Sequence, residues 1–269
     1  MTQRRLEGSV AWISGAASGM GEATAELFAA EGASVALIDI QREPGQRTAE
    51  RIASRGGQSI FIETDVTREA QLRDSIEQTV LAFGALQIIV NCAGIVHIGL
   101  LHEYDEQDWD TLMGVNLKSI FFSLKHGLSH LRQNRRSYMV KIASVSSFVG
   151  QASTPAYTTS KHAVLGLSRS IALDYARDGL RCNSICPGIT DTPLLRSHLS
   201  TAPDPEAALA SRLRRVPIGV ALEPADVART VLFLSCEDSA GITGTSLVID
   251  GGYTTAAEWD TAGQTKFME

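Results

Sequence analysis

Short apolar runs alternate with longer amphipathic stretches along most of the chain. The runs are apolar without strict alternation, as in parallel strands that are covered on both faces. They therefore predict seven strands, at residues 9–14, 34–40, 59–66, 86–94, 137–144, 181–188 and 245–252.

The stretches between the runs carry apolar residues at helical spacing, and several of them end at glycine. They predict helices at residues 21–32, 46–57, 69–84, 109–132, 156–179 and 223–238. Strands that alternate with helices of this length indicate an α/β fold, in which a doubly wound parallel sheet has helices on both faces. No linker or repeat divides it, so residues 1–253 are expected to form a single domain.

Residues 189–220 interrupt this alternation directly after a predicted strand. The segment contains four prolines, Pro193, Pro203, Pro205 and Pro217. A long insertion at the carboxyl edge of such a sheet is more often functional than passive, so we expect a substrate lid. Residues 254–269 are polar and are expected to form a C-terminal tail.

Composition excludes several classes of function. The net charge of −6, from 24 basic and 30 acidic residues, gives no general attraction to nucleic acid or to an anionic membrane. No apolar run is long enough to span a bilayer. The four cysteines form no C-x-x-C pair and no cluster with histidine, so we expect free thiols, a cytoplasmic location and no metal.

The stretch SGAASGMG follows the first predicted strand and opens the first helix. Its glycines, Gly15, Gly19 and Gly21, do not have the spacing G-x-G-x-x-G. Small residues still allow a backbone to approach a pyrophosphate closely, and a helix N-terminus favours negative charge. Ser18 and Met20 belong to the same turn, which is a weak signal for dinucleotide binding when taken alone.

Asp39 ends the second predicted strand, 24 positions after Gly15. An acid at this point can accept hydrogen bonds from both hydroxyls of an adenosine ribose, and it would repel a 2′-phosphate. The next residue, Ile40, offers no cation for such a phosphate. This favours NAD over NADP, although Arg42 is close enough to leave the alternative open.

Tyr157 and Lys161 are four positions apart on a predicted helix, so their side chains share one face. An ammonium beside a phenol favours the phenolate, and we therefore expect Lys161 to lower the pKa of Tyr157. A tyrosine tuned in this way can exchange a proton with a hydroxyl or carbonyl group of a substrate. The pair by itself is common and is usually structural.

Six motifs in the right order make the chain resemble the short-chain dehydrogenases/reductases from about residue 6 to residue 253. SGAASGMG resembles the family's T-G-x-x-x-G-x-G turn, with Ser14 for Thr, and NCAG resembles its N-N-A-G, with Cys92 for the second Asn. VIDGGY resembles its C-terminal strand. The remaining motif positions are Asp65, Val66, Asn91, Ala93, Gly94, Asn116, Ser144, Pro187 and Gly188.

The resemblance implies a Rossmann domain that transfers a hydride between NAD(H) and a secondary alcohol or ketone. It implies a catalytic set of Ser144, Tyr157, Lys161 and Asn116, in which Ser144 lies 13 residues before Tyr157. Ser146 and Ser147 are further candidates, but the 13-residue spacing favours Ser144. The resemblance also implies that Ile189 and Thr192 hold the nicotinamide carboxamide. It implies the homotetramer that is usual in the family.

The alternatives are an NADPH-dependent ketoacyl-carrier-protein reductase and a non-catalytic NAD-binding sensor. The polar lid slightly favours a small polyol, sugar or cyclic hydroxy compound as substrate. His97 either lines the substrate pocket or lies on the surface. Four lid arginines either attract an anionic substrate or, as we favour here, form a solvated helical face: Arg196, Arg212, Arg214 and Arg215.

Overall fold

A computed structural model of the chain describes residues 4–255. Its seven strands are β1 (Val10–Ser14), β2 (Ser34–Asp39), β3 (Gln58–Glu63), β4 (Ile88–Asn91), β5 (Ser137–Ile142), β6 (Leu180–Pro187) and β7 (Ser246–Ile249). They form one sheet in the order β3-β2-β1-β4-β5-β6-β7, and every neighbouring pair is parallel. The predicted seven-stranded, doubly wound sheet is confirmed.

Nine α-helices connect or follow the strands within the described range. They are α1 (Gly19–Ala30), α2 (Arg42–Ser54), α3 (Glu69–Phe83), α4 (Glu106–Met113), α5 (Ser119–Leu131), α6 (Pro155–Tyr175), α7 (Pro193–Leu199), α8 (Pro205–Leu213) and α9 (Pro224–Phe233). None of these helices is both long enough and apolar enough to cross a membrane.

The core has two halves, one on each face of the sheet. Phe28 of α1 and Val231 of α9 pack with Val35 on one face. Ile76 of α3 and Met139 of β5 belong to the other half. Because both faces are covered, the strands need apolar residues on both sides, which explains the lack of alternation in the sequence.

Helix α2 begins four residues earlier than predicted. Arg42 is its first residue, and Pro44 and Gly45 lie in its first turn. Proline is tolerated there because the first N–H groups of a helix have no partner within it. A Cβ atom at Gly45 would lie 2.1 Å from the Phe61 ring, so the glycine lets the helix pack closely against β3.

The predicted helix over residues 109–132 contains a change of winding. Helices α4 and α5 are joined by a five-residue π-helical turn, Gly114–Lys118. Such turns are rare and occur frequently at functional sites. Asn116, which motif matching selected, lies in this turn and is buried.

Residues 189–220 hold the two short helices α7 and α8. Each begins with proline after a capping side chain: the Thr192 hydroxyl accepts from Leu195 N at 3.2 Å, and the Asp204 carboxylate accepts from Ala207 N at 3.0 Å. Of the predicted tail, Thr254 donates to Asp250, and residues 256–269 lie outside the described range.

Candidate active site

The glycine turn is folded so tightly at the end of β1 that side chains are excluded. A Cβ atom at Gly21 would lie 2.0 Å from the Gly15 carbonyl oxygen. One at Gly15 would lie 2.7 Å from Ala93 N, and the φ angle of Gly15 is 70°. Glycine is therefore required at both positions by sterics, which the spacing alone did not reveal.

The segment after β4 closes against this turn. Ala93 N donates to the Ser14 hydroxyl at 3.3 Å, so the serine that replaces threonine still makes a local hydrogen bond. Asn91 lies in the strand itself and donates to the Ser123 hydroxyl at 2.9 Å. Burial raises the pKa of the Cys92 thiol to about 12, so this thiol stays protonated at neutral pH.

Asp39 is held rigidly at the carboxyl end of β2. Its two carboxylate oxygens accept hydrogen bonds from Ala17 N and Gln41 N, both at 3.0 Å. Each oxygen keeps a second lone pair for another donor. Ile40 is exposed, and Arg42 faces Glu63 with 3.7 Å between the guanidinium and the carboxylate.

A cavity of about 240 Å³ lies between these segments. Asp65 contributes to its wall, and its carboxylate accepts from Thr67 N at 2.9 Å. Residues that sequence reasoning did not select also line it, among them Gln41 and Val115. The predicted residues at this cavity are Gly15, Ser18, Gly19, Met20, Gly21, Asp39, Ile40, Asp65, Val66, Ala93, Gly94 and Thr192.

A second cavity, of about 520 Å³, brings Ser144 and Tyr157 together. The predicted segment Pro187, Gly188 and Ile189 lines it too. The two cavities adjoin, because they share three lining residues, Met20, Thr192 and Leu194.

Ser144 and Ser146 both face the second cavity, but they differ in their contacts. Ser144 lies close enough to the Tyr157 phenol to stabilise its charged form by a hydrogen bond. Ser146 donates its hydroxyl to Gln151 Oε1 at 3.0 Å. The two serines thus have different partners, the Tyr157 phenol for Ser144 and the Gln151 amide for Ser146.

Behind Tyr157, Lys161 and Asn116 are buried beside Gly94. Lys161 Nζ donates to the Ile142 carbonyl at 2.8 Å. Asn116 Oδ1 accepts from Ile95 N at 2.9 Å, and its amide donates to the Ser160 hydroxyl at 3.1 Å. A Cβ atom at Gly94 would be 3.5 Å from Asn116 Oδ1 and 3.6 Å from Lys161 Nζ.

The expected effect of Lys161 on Tyr157 is not observed. Burial raises the pKa of Tyr157, and burial also lowers the pKa of Lys161 to about 8. Both charged forms lose water at this position, and the ammonium lies 5.5 Å from the centroid of the phenol ring. In the protein by itself, the protonated phenol is therefore favoured.

The structure also shows where His97 and the lid arginines, the other candidates for substrate contacts, lie. His97 does not line the second cavity: its ring packs on Tyr104 with 4.6 Å between centroids. Arg196 forms an ion pair with Asp191 at 2.8 Å, which fits a solvated face. Arg212 and Arg215 line the second cavity, and Arg215 is also exposed to solvent.

The cysteines are free: Cys182, Cys186 and Cys236 are buried, and Cys92 is half-buried. Between residues 4 and 255, no group of three or more His, Cys, Asp or Glu side chains could hold a metal ion.

Comparison with known proteins finds reductases and oxidoreductases that match most of the chain. The sequence model of a family described as enoyl-(acyl carrier protein) reductase matches residues 15–254. An uncharacterised oxidoreductase of Thermotoga maritima is 38% identical over 93% of this chain and 98% of its own length. Dehydrogenase/reductase SDR family member 6 of Danio rerio is 36% identical over the same shares.

A solved structure has the same fold. It is a 2-deoxy-D-gluconate 3-dehydrogenase from Agrobacterium tumefaciens, assigned provisionally and with bound NADP. It is 33% identical, with a TM-score of 0.84 over 95% of this chain and 100% of its own. The chain therefore belongs to the short-chain dehydrogenase/reductase family, and it is an oxidoreductase that acts on alcohols or ketones with a nicotinamide cofactor.

Proposed function

We propose that the protein interconverts a secondary alcohol and its ketone with NAD(H). The observation that carries this proposal is the junction of the two cavities, where Met20 and Thr192 line both the cavity at the glycine turn and the cavity of Ser144 and Tyr157. A reacting carbon beside the phenol would thus be adjacent to the dinucleotide cavity.

The dinucleotide cavity fits a pyrophosphate and a ribose. Gly15 and Gly21 line this cavity without side chains, and the first N–H groups of α1 lie beside it. Asp39 would hold the adenosine ribose, and Ile189 with Thr192 would hold the carboxamide. When bound, the nicotinamide supplies or accepts the hydride.

Tyr157 would hold the transferred proton on its phenolic oxygen. In the reduction of a ketone it donates this proton, and the raised pKa in the free protein suits the acid form. In oxidation it accepts the proton from the alcohol. Ser144 would donate a hydrogen bond to the substrate oxygen, where negative charge develops during reduction.

Lys161 and Asn116 would act behind the phenol. Lys161 is the nearest cation on the same helix face, and it would stabilise the phenolate and hold the nicotinamide ribose. Asn116 fixes the segment after β4 through Ile95, and we propose that it holds a water that relays protons between Lys161 and solvent.

Three features support NAD over NADP. Asp39 presents a rigid carboxylate where a 2′-phosphate would lie. Ile40 is apolar, and the exposed Arg42 guanidinium lies 3.7 Å from the Glu63 carboxylate, which would compete with a phosphate for it. The relative with bound NADP makes a parallel measurement with NADP necessary.

The test is the reduction of NAD⁺ over a panel of secondary alcohols, with NADP⁺ in parallel, for the natural chain and Tyr157→Phe. We expect turnover to fall by about 100-fold or more, because general acid–base catalysis is lost, while NADH affinity is unchanged. Tyr104→Phe is the matched control, since its hydroxyl donates to the His97 carbonyl outside the cavity. Near-normal turnover by Tyr157→Phe would contradict the proposal, and absence of turnover with every alcohol would support the sensor.

We also propose that the chain forms a homotetramer in the cytoplasm. Phe121 of α5 is 48% exposed, and it lines a groove with Leu117 and with Leu167 of α6. An apolar groove along two long helices is suited to a second copy of the chain. Light scattering at several concentrations would give the mass, and a monomer at all of them would refute this assembly.

A further inference from the structure

The second cavity carries charge of one sign only. Its charged or ionisable lining residues near the lid are Arg212, Arg215 and His198, and no Asp or Glu lines it. The whole chain, by contrast, has more acidic than basic residues, 30 against 24. The basic lining is therefore local to this cavity.

The arginines lack acidic partners in the described part of the chain. Neither Arg212 nor Arg215 forms an ion pair among residues 4–255. The carboxylates closest to the lining in sequence are engaged elsewhere: Asp191 pairs with Arg196, and Asp250 accepts from Gly252 N, Thr254 N and the Thr254 hydroxyl. The positive charge at the cavity is thus left uncompensated.

Both guanidinium groups are positioned by neighbouring side chains. Arg212 lies 3.2 Å from His198 Nε2, and because a guanidinium only donates, this nitrogen must be the acceptor of a neutral imidazole. Burial lowers the pKa of His198, and Arg212 lowers it further, which keeps the imidazole neutral. Arg215 lies 5.0 Å from the centroid of the Tyr253 ring, and Tyr253 lines the same cavity.

Most N–H groups of these arginines remain available. Arg212 has five donors, and one contact with His198 leaves the others for a ligand. A planar guanidinium matches the two oxygens of a carboxylate, and such charge-assisted pairs are stronger than hydrogen bonds between neutral groups. Ser144 and Tyr157 line the same cavity, where they would face the reacting oxygen of the proposed reaction.

We propose that the substrate is a hydroxy acid or keto acid whose carboxylate is bound by Arg212 and Arg215. This inference rests on the proposed function, and it replaces the uncharged polyol favoured by the sequence. The cavity volume of about 520 Å³ accommodates a small acid beside the arginines and the pair of Ser144 and Tyr157.

The test compares secondary hydroxy acids of four to six carbons with their primary amides, which keep the shape and lose the charge. We expect kcat/KM to be about 10- to 100-fold higher for the acid, because a charged hydrogen-bonded contact is lost in the amide. Arg212→Gln should lower kcat/KM for the acid by a similar factor and for the amide by much less, and Arg212→Lys should recover part of the loss.

Arg196→Gln is the matched control, because it removes the same charge from the outer face of α7, where Asp191 engages it. It should leave kcat/KM for the acid within about 2-fold. Equal rates for acids and amides, or an Arg212→Gln variant that discriminates as the natural chain does, would overturn the carboxylate assignment and leave the proposed reaction intact.

A binding measurement separates the two failures. If the acids, the amides and the other secondary alcohols are all left unreacted, the proposed reaction fails, and protection of the NADH-loaded protein against thermal unfolding decides the inference. Keto acids that raise Tm in the natural chain and not in Arg212→Gln would support the carboxylate site. Equal shifts with the corresponding keto amides would overturn it.

Discussion

The two adjoining cavities are built by different means. The dinucleotide cavity is shaped by backbone: Gly15 and Gly21 have no room for a Cβ atom, and Asp39 is fixed by two N–H groups. The substrate cavity is shaped by long side chains from short helices, with Arg212 at the end of α8 and Leu195 on α7. A backbone-built site has few sequence solutions, whereas a side-chain-built site can change its ligand by substitution.

The largest expected effect tests this contrast with one substitution on each side. Gly21→Ala should weaken NADH binding by about 100-fold or lower Tm markedly, because the new methyl group would overlap the Gly15 carbonyl. Gly150→Ala, at the substrate cavity, meets no atom within 4 Å and should leave both values nearly unchanged. Fluorescence titration with NADH and thermal unfolding measure the pair, and similar behaviour of the two variants would remove the contrast.

A smaller effect is expected at the edge of the dinucleotide cavity. Asp39→Asn should reduce the preference for NAD over NADP in kcat/KM by about 10- to 100-fold, since the repelling charge is removed and one acceptor of the ribose becomes a donor. Glu63→Gln is the control, because it weakens only the hold on Arg42. If Glu63→Gln shifts the preference as strongly as Asp39→Asn, then Arg42 and not Asp39 determines cofactor choice.

The smallest effect concerns Lys161, which is buried beside Gly94 of the dinucleotide cavity. Its native pKa of about 8 is below its ordinary value of 10.5, so between these pH values the unfolded chain binds a proton that the native protein does not. This group therefore makes the free energy of unfolding fall as pH drops from 10.5 to 8, and its effect levels off below pH 8.

Between pH 8 and 9.5, we expect the free energy of unfolding to rise by about 1 to 2 kcal/mol more in the natural chain than in Lys161→Met. Urea unfolding at both pH values measures the difference. Equal slopes for the two proteins would mean that the Lys161 ammonium is not desolvated.

The contrast also explains what the sequence could predict. The seven strands, the glycine turn and the position of Asp39 follow from local patterns, because each depends on backbone geometry and neighbouring residues. Asn116 follows only from the family resemblance. The direction of the Tyr157 pKa shift could not be predicted, since it depends on burial by segments far apart in sequence.

The lid arginines show the same limit. Arg196 and Arg212 have similar surroundings in the sequence. Arg196 forms an ion pair with Asp191 outside the substrate cavity, whereas Arg212 lines that cavity. Only the packing of α7 and α8 separates them. The boundary of α2 was missed for a related reason, because the close approach of Gly45 to Phe61 is a tertiary contact.

The π-helical turn at Gly114–Lys118 makes the number of residues as important as their identity. A π-helical turn closes its hydrogen bonds over five residues and not four, so it holds one residue more than an α-helical turn between the same flanking helices. Deleting one residue there would let the turn relax to α-helical winding and would remove the bulge that carries Asn116, while Ser123 and Leu124 keep their places in α5. Deleting one residue from the regular part of α5 would instead rotate the rest of that helix by about 100°.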